Sequence, residues 1–299
     1  MAVFEFLRGI ATPGLDRIMK AITDLGSTAF YILIVPIIYW CMDKSLGFGL
    51  AVALSISNYL NLAIKFIVCR ARPYVAFPHL DAPEFLKLTG TGYSFPSGHA
   101  QVVSTFWVYL ARHLKAKWIT VTGTVAVILV AFTRVYATVH YPTDVLVGVA
   151  LGSAIAYLYL GLEDRVRILG LQGKERVGLA LAVSVIVPGF MLGISALFNR
   201  AFSEEVAQVL GFIAGAGVGY ILESEYVKYD VRAPGSVQII KVVLGFIGMM
   251  GIRYGLKALF PGNAFWDMLR YALIAIWATL GAPFLFKNFL GPRSRPSKG

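Results

Sequence analysis

Residues 118–161 read WITVTGTVAVILVAFTRVYATVHYPTDVLVGVALGSAIAYLYLG. Two apolar runs, 118–137 and 143–161, flank a short connection that carries His140 and Pro142. Each run has the length, about 17–25 residues, needed to cross the hydrocarbon of a bilayer. In lipid every backbone N–H and C=O must find an internal partner, so such runs form helices. The alternating apolar and polar pattern of a membrane barrel is absent.

The rest of the chain follows this pattern. Apolar residues make up 58% of the 299, charged residues only 14%, and the mean hydropathy is +0.71, which excludes a water-soluble globule. Nine spans are expected: 25–42, 46–68, 97–113, 118–137, 143–161, 177–198, 206–222, 236–252 and 266–288. The fold class is therefore an all-α, polytopic membrane helical bundle. Its expected organisation is an interfacial N-terminal segment at 1–24, a helical core at 25–161 and additional transmembrane helices at 162–299.

In residues 1–20 Phe4, Leu7, Leu15 and Ile18 mix with Glu5, Arg8, Asp16, Arg17 and Lys20 around Pro13-Gly14, the composition of an interfacial helix. The ordered basic, apolar and small-residue regions of a cleaved signal peptide are missing there. Lys and Arg are retained on the cytoplasmic side of short loops. Their distribution outside the motif stretches favours a multi-pass protein of the cell membrane with the N-terminus outside and the C-terminus inside. The net charge of +11 is spread over short inter-helix loops without an aromatic-interleaved patch. It suits anionic lipid headgroups rather than nucleic acid. Cys41 and Cys69 fall toward opposite ends of their helices, which argues against a disulfide. No Cys or His spacing suggests a metal, and no cofactor is implied.

Chemistry concentrates in three stretches. Lys65 and Arg72 lie seven residues apart, which on one continuous helix means two turns, about 10 Å, and nearly the same face. Asn58 and Asn61 extend that polar stripe. An ionisable group in a membrane helix is costly and points to function, although Lys65 alone reads equally well as a snorkelling side chain. Arg72-Pro73 is expected to end the helix.

Pro96-Ser97-Gly98-His99 opens a helix, and the free N–H groups there, with no side chain on Gly98, form an anion site. Taken alone the tetrapeptide reads as an ordinary cap. His99 adds a proton donor for a leaving oxygen. In the third stretch Arg134, His140 and Asp144 surround Pro142, which suits a first helical turn. A carboxylate at 144 can fix the tautomer of His140 and leave its other nitrogen free to attack. By itself it also reads as a helix cap. Gly148 and Gly152 continue the row from Asp144, which predicts an inward-packed face.

Lys-x6-Arg-Pro, Pro-Ser-Gly-His and Arg-x5-His-x3-Asp, in that order, resemble the motifs of the type 2 phosphatidic acid phosphatase superfamily. The resemblance rests on Lys65, Arg72, Pro73, Pro96, Ser97, Gly98, His99, Arg134, His140 and Asp144 and covers about residues 46–161. The family usually has serine before the third-motif arginine; Thr133 here keeps the hydroxyl. The resemblance implies a metal-independent membrane phosphatase working through a phosphohistidine. His140 would be nucleophile, Asp144 its orienting carboxylate and His99 general acid. Lys65, Arg72, Ser97, the Gly98 amide and Arg134 would bind the phosphate. A lipid phosphate or isoprenyl diphosphate is the implied substrate, and the topology read from the basic residues puts the three stretches together on the extracytoplasmic side. The nine-span layout is similar to that of glucose-6-phosphatase and the sphingosine phosphate phosphatases.

Transfer of the phosphoryl group to a lipid-linked acceptor and hydrolysis of a soluble sugar phosphate remain open alternatives. A transporter lacks support because no inverted repeat or matched pair of broken helices is visible. A metal hydrolase built on His99, His140 and Asp144 fits poorly beside three cations. Outside the motifs, Gly211, Gly215 and Gly219 predict tight helix packing. Glu223, Glu225 and Asp230 read as a solvated connector, and 74–95 as either a lid or membrane-lying entrance or a plain loop.

Overall fold

The computed structural model describes residues 1–80, 82–90, 92–168, 201–260 and 263–290, with 182, 186, 189 and 190. The expected span 177–198 and the tail from 291 lie outside the described residues, so neither can be compared. All regular elements among the described residues are helical. They are α1 (Ala2–Gly9), α2 (Pro13–Asp24), α3 (Thr28–Cys41), α4 (Lys44–Val68), α5 (Pro73–Ala76), α6 (Glu84–Lys87), α7 (Gly98–Leu114), α8 (Lys117–Tyr136) and α9 (Pro142–Ile168). After the undescribed stretch follow α10 (Ala201–Leu222), α11 (Gly235–Leu259), α12 (Ala264–Ile276) and α13 (Ala282–Leu285), with π-helical turns at Glu223–Val227, Trp277–Gly281 and Phe286–Leu290.

The count of nine spans is not confirmed. Among the described residues six helical stretches are long and apolar enough to cross a membrane, and a seventh arises if α2 and α3, bent by 44°, form one broken span. The expected span 25–42 exists only within that bent pair, since α3 itself has 14 residues and contains Pro36. The expected span 97–113 is a helix, α7, of 17 residues, but its buried face carries Gln101, Ser104 and Thr105, and it is not among the six.

The chain divides into two compact units: residues 1–34 with 52–169, and residues 35–51 with 170–299. The division passes through α3 and α4.

In the first unit α9 lies on α7 because Gly148 and Gly152 let the backbones touch. A Cβ on Gly148 would come within 2.6 Å of the Ser97 carbonyl, and one on Gly152 would overlap the Gln101 carbonyl. Ser104 bonds to Val149 O at 3.0 Å and to Ser153 at 2.9 Å, and Thr105 donates to Gly152 O at 3.2 Å. On the other side of α7, Gly123 of α8 lies against Trp107. The N-terminal helices also belong to this unit. Leu7 joins a buried cluster with Leu86, Tyr136, Ala137 and Val139, and Phe4 packs edge-on against Tyr141. Arg8 bonds to Asp16 at 3.0 Å, and Asp16 accepts from the Tyr136 hydroxyl at 2.7 Å. The apolar face of α1 is thus covered partly by protein, while Val3, Phe6 and Ile10 remain exposed as an interfacial helix requires.

In the second unit α10 packs on α12 through the expected glycines. Side chains at Gly211 and Gly215 would overlap the Met268 and Ala272 carbonyls, and one at Gly219 the Thr279 hydroxyl. The π-helical turn at Trp277–Gly281 frees carbonyls from the helical ladder. Trp40 donates to Ala278 O at 2.7 Å and Tyr39 to Thr279 O at 2.9 Å. Glu223 corrects the reading of its segment as a solvated connector. It is 0% exposed, pairs with Lys44 at 2.9 Å and accepts from the Tyr229 amide at 2.7 Å. A carboxylate buried in an apolar bundle needs such partners, and Lys44 comes from a distant part of the chain. Asp230 is exposed as expected.

Candidate active site

All ten motif residues lie in the first unit. Lys65 occupies the last turn of α4, and its ammonium donates to Tyr93 O at 2.5 Å. The helix does not continue to Arg72. It ends at Val68, and Cys69 adopts the left-handed conformation (φ 49°), so Arg72 belongs to the following loop and Pro73 starts α5 instead of stopping α4. The expected shared helical face for Lys65 and Arg72 is therefore incorrect. The two cations meet through tertiary folding of the loop.

The Arg72 guanidinium is fixed by carbonyls. Nε donates to Gly92 O at 2.9 Å, Nη2 to Tyr93 O at 3.1 Å and Nη1 to Val139 O at 2.8 Å, and the same Nη1 lies 3.0 Å from His140 Nε2. Gly90 permits this approach, since a Cβ there would lie 2.8 Å from Arg72 Nη1.

Ser97 is the N-cap of α7, but its side chain makes no capping bond. Its backbone N–H donates to Asp144 O at 2.9 Å, while the hydroxyl is buried with no partner among the described residues. A Cβ on Gly98 would sit 3.3 Å from Asn61 Oδ1, so glycine allows α7 to start close against α4. Below this point Asn61 donates to Gln101 at 2.9 Å, and Gln101 to Ser57 O at 2.8 Å. The expected polar stripe of α4 thus continues inward from Asn61 as a buried network that ties α4 to α7.

Arg134 lies in the last turn of α8 and is 0% exposed. It donates to Thr23 of α2 at 2.7 Å and to the Thr89 hydroxyl and carbonyl, each at 2.9 Å, while its Nε has no partner among the described residues. Pro142 opens α9 as expected, and Asp144 falls in the first turn. Both carboxylate oxygens are engaged. Oδ2 accepts from Ser94 at 2.5 Å and from the Tyr141 amide at 2.9 Å, and Oδ1 accepts from Arg70 at 2.7 Å. His140 is 2% exposed; its Nδ1 lies 3.6 Å from Asp144 Oδ2 and 3.5 Å from the Ser94 hydroxyl.

The His140 ring therefore has the carboxylate on its Nδ1 edge and a guanidinium on its Nε2 edge. Burial first, then the charges of Arg72, Arg134 and Lys65, hold its pKa well below the ordinary imidazole value. His99, in the first turn of α7, shares the field of the same three cations. The three stretches converge on one buried, cation-rich cluster, in which Ser97 Oγ and Arg134 Nε have no partner among the described residues. Three fixed cations and a neutral imidazole suit a phosphoryl group, whose charge is spread over its oxygens.

Arg70 and Ser94 are partners of Asp144 that the motifs do not contain. Arg70 also bonds to Thr143 at 2.9 Å and lies over the Tyr141 ring at 3.8 Å. Its position two residues before Arg72 was a visible signal; a lone loop serine gave none. Thr23 and Thr89 were equally silent.

The family model described as PAP2 superfamily matches residues 46–167, and the one described as PAP2 superfamily phosphatase, transmembrane extension, matches 207–294. The chain is 35% identical over 121 residues to undecaprenyl-diphosphatase of Sulfolobus acidocaldarius, which covers 40% of this chain and 57% of that one. It is 30% identical over 174 residues to phosphatidylglycerophosphatase B of Bacillus subtilis, covering 53% and 80%. The crystal structure of a transmembrane PAP2-type phosphatidylglycerolphosphate phosphatase from Bacillus subtilis superposes with a TM-score of 0.47 at 28% identity, covering 55% of this chain and 84% of that one. With motif residues gathered in one pocket of a helical membrane protein, and a match reaching four-fifths of a phosphatase, the chain belongs to the PAP2 superfamily of membrane phosphatases.

Proposed function

We propose that the protein hydrolyses a lipid phosphate or diphosphate through a covalent phosphohistidine. The observation that carries this reading is the geometry at His140, with Arg72 3.0 Å from Nε2 and Asp144 3.6 Å from Nδ1. Nε2 attacks phosphorus, the bond from phosphorus to the leaving oxygen breaks, and His99 gives that oxygen a proton. Water then attacks phosphorus, His99 takes a proton from it, and the N–P bond breaks to release inorganic phosphate. Asp144 stabilises the charge on the imidazole, and Ser94 and Arg70 hold Asp144. Lys65, Arg72, Ser97, the Gly98 amide and Arg134 bind the phosphate oxygens.

A lipid substrate is supported by a groove that borders Arg72. Tyr74, Glu84, Lys87, Leu88, Gly90 and Gly92 line an open groove of about 480 Å³. Gly92 contributes its carbonyl to Arg72, and Val75, Phe85 and Leu88 are exposed nearby in sequence. An apolar rim beside a charged pocket suits a headgroup on an acyl or isoprenyl chain. The two relatives named above carry names of lipid-linked substrates, undecaprenyl diphosphate and phosphatidylglycerophosphate. The site acts at the extracytoplasmic face of the cell membrane, with the N-terminus outside and the C-terminus inside. That topology counts α7 and residues 177–198 as spans and so makes nine.

The test is phosphate release by the purified protein from phosphatidic acid, isoprenyl diphosphate, sphingoid phosphate and glucose 6-phosphate. Acid-labile label on the protein from a 32P-substrate is expected and should vanish in His140→Ala. Turnover surviving that substitution would overturn the nucleophile, and turnover of glucose 6-phosphate alone would overturn the lipid. A single cysteine at Val75 that labels only from the cytoplasmic side would overturn the outward-facing site.

A further inference from the structure

Within the second unit, the C-terminal end of α11 and the N-terminal ends of α10 and α12 surround a cavity of about 560 Å³. Its wall carries three cations, Arg253, Lys257 and Arg270, and two carboxylates, Glu204 and Asp267. Arg253 and Lys257 are one turn apart near the end of α11, where the helix dipole favours positive charge. The dipole accounts for those two without any ligand. It does not account for Arg270, which sits on the second turn of α12 and whose side chain is 8% exposed.

One nitrogen of Arg270, Nη1, donates to Asp267 Oδ1 at 2.7 Å, and Gln208 holds the other oxygen of Asp267 at 3.0 Å. The remaining two donors, Nε and Nη2, are buried and have no partner among the described residues. They form the side edge of the guanidinium, two parallel N–H groups with the spacing of two oxygens of a phosphate or carboxylate. A fully charged buried fork is costly to leave unbonded in a membrane protein. The negative charge of Asp267 is paired with Arg270 itself, and Glu204 is exposed at the rim. Arg253 and Lys257 have no carboxylate partner among the described residues. The cavity volume falls in the range that holds a small ligand, and Phe260, stacked on Trp266 at 4.1 Å, closes one side with an apolar wall.

We infer that this cavity is an anion-binding site for a phosphate group, gripped side-on by Arg270 and neutralised by Arg253 and Lys257. The phosphate is either free inorganic phosphate or the headgroup of an anionic phospholipid. The site lies wholly in the second unit and shares no residue with the His140 pocket.

The full-length protein in neutral detergent is tested with labelled inorganic phosphate, and in nanodiscs of phosphatidylglycerol and phosphatidylcholine by native mass spectrometry of retained lipid. Arg270→Gln is compared with the unsubstituted protein, and Arg253→Gln/Lys257→Gln, which touches side chains outside the buried pair, covers the case in which Arg270→Gln does not fold. Turnover of para-nitrophenyl phosphate is expected to stay unchanged in both variants. Loss of one bound phosphate per chain, or at least ten-fold weaker phosphate binding, assigns the site to free phosphate. Loss of retained phosphatidylglycerol without a change in phosphate binding assigns it to a lipid headgroup. Equal phosphate binding and equal lipid retention in all three proteins would overturn the inference.

Discussion

The contact of α9 with α7 and the contact of α10 with α12 use the same device and surround it differently. In both, glycines on one helix meet carbonyls on the other: Gly148 and Gly152 over Ser97 and Gln101, Gly211 and Gly215 over Met268 and Ala272. The first contact is stitched by Ser104, Thr105 and Ser153 and continues through Gln101 into Asn61 of α4. The glycine contact of the second unit is backbone apposition, with one side-chain bond between the helices one turn before Gly211, from Gln208 to Asp267 at 3.0 Å. Small residues suffice to bring membrane helices together, but side-chain hydrogen bonds fix their register as well. Register matters where Ser97 and His99 must face Asp144 and His140, since a displacement of about 1 Å can cost on the order of 100-fold in rate.

The largest effect that tests this contrast is His140→Ala. Activity in the phosphate-release assay should fall by at least about 1,000-fold, while the melting temperature stays near that of the parent. A comparable fall in stability would mean that the polar cluster holds the first unit together as much as it serves chemistry.

Gly215→Leu should show the opposite pattern. Its side chain would drive into the Ala272 carbonyl, at a cost of about 1–3 kcal/mol or more, read as a lowered melting temperature in detergent. Gly152→Leu should lose both stability and activity, because it pushes against Gln101 one turn from Ser97. If it lost only stability, the hydrogen-bonded register of α7 and α9 would be irrelevant to the site.

Arg70→Gln and Ser94→Ala should each reduce kcat on the order of ten-fold, with little change in KM, because they release Asp144 rather than touch phosphate. In Arg70→Gln the Asp144 charge is less compensated and favours the imidazolium. The pKa of His140 rises, so the acid limb of kcat/KM moves to higher pH, and Arg70→Lys should restore part of the loss.

The smallest effect concerns pH in the parent. The pKa of His140 lies below its unfolded value of about 6.5, so the imidazole stays neutral as pH falls through that value. The acid limb of kcat/KM should therefore appear only below pH 6.5. By the same sign, the contribution of His140 to stability is complete above about pH 6.5 and is lost as pH falls toward the folded pKa. An acid limb at or above pH 7 would show that Arg72, Arg134 and Lys65 do not act on the ring as described.

Hydrophobic runs and three spaced motifs were enough to read the helical class and the membership of the pocket, because bilayer length and phosphate chemistry both restrict residue type directly. Helix continuity was not legible: seven residues from Lys65 to Arg72 suggested one helix, yet the left-handed Cys69 breaks it. The break in the expected span 25–42 was hidden for a related reason, since Pro36 and the bend between α2 and α3 interrupt an apolar run without changing its composition. Glu223 looked like a solvated acid because its partner, Lys44, is far away in the chain.

The sequence by itself determined the membrane setting, the three cations, both histidines and Asp144, since each is a matter of residue type and local spacing. Tertiary structure alone decided which groups hold them. Gly92 and Tyr93 fix Arg72, Thr23 and Thr89 fix Arg134, and Ser94 and Arg70 fix Asp144. Those partners are carbonyls, threonines, a serine and one extra arginine brought in by loop closure and helix packing. A backbone carbonyl leaves no mark in sequence, and a buried cation in a low-dielectric bundle donates to whichever acceptors the fold brings within about 3 Å.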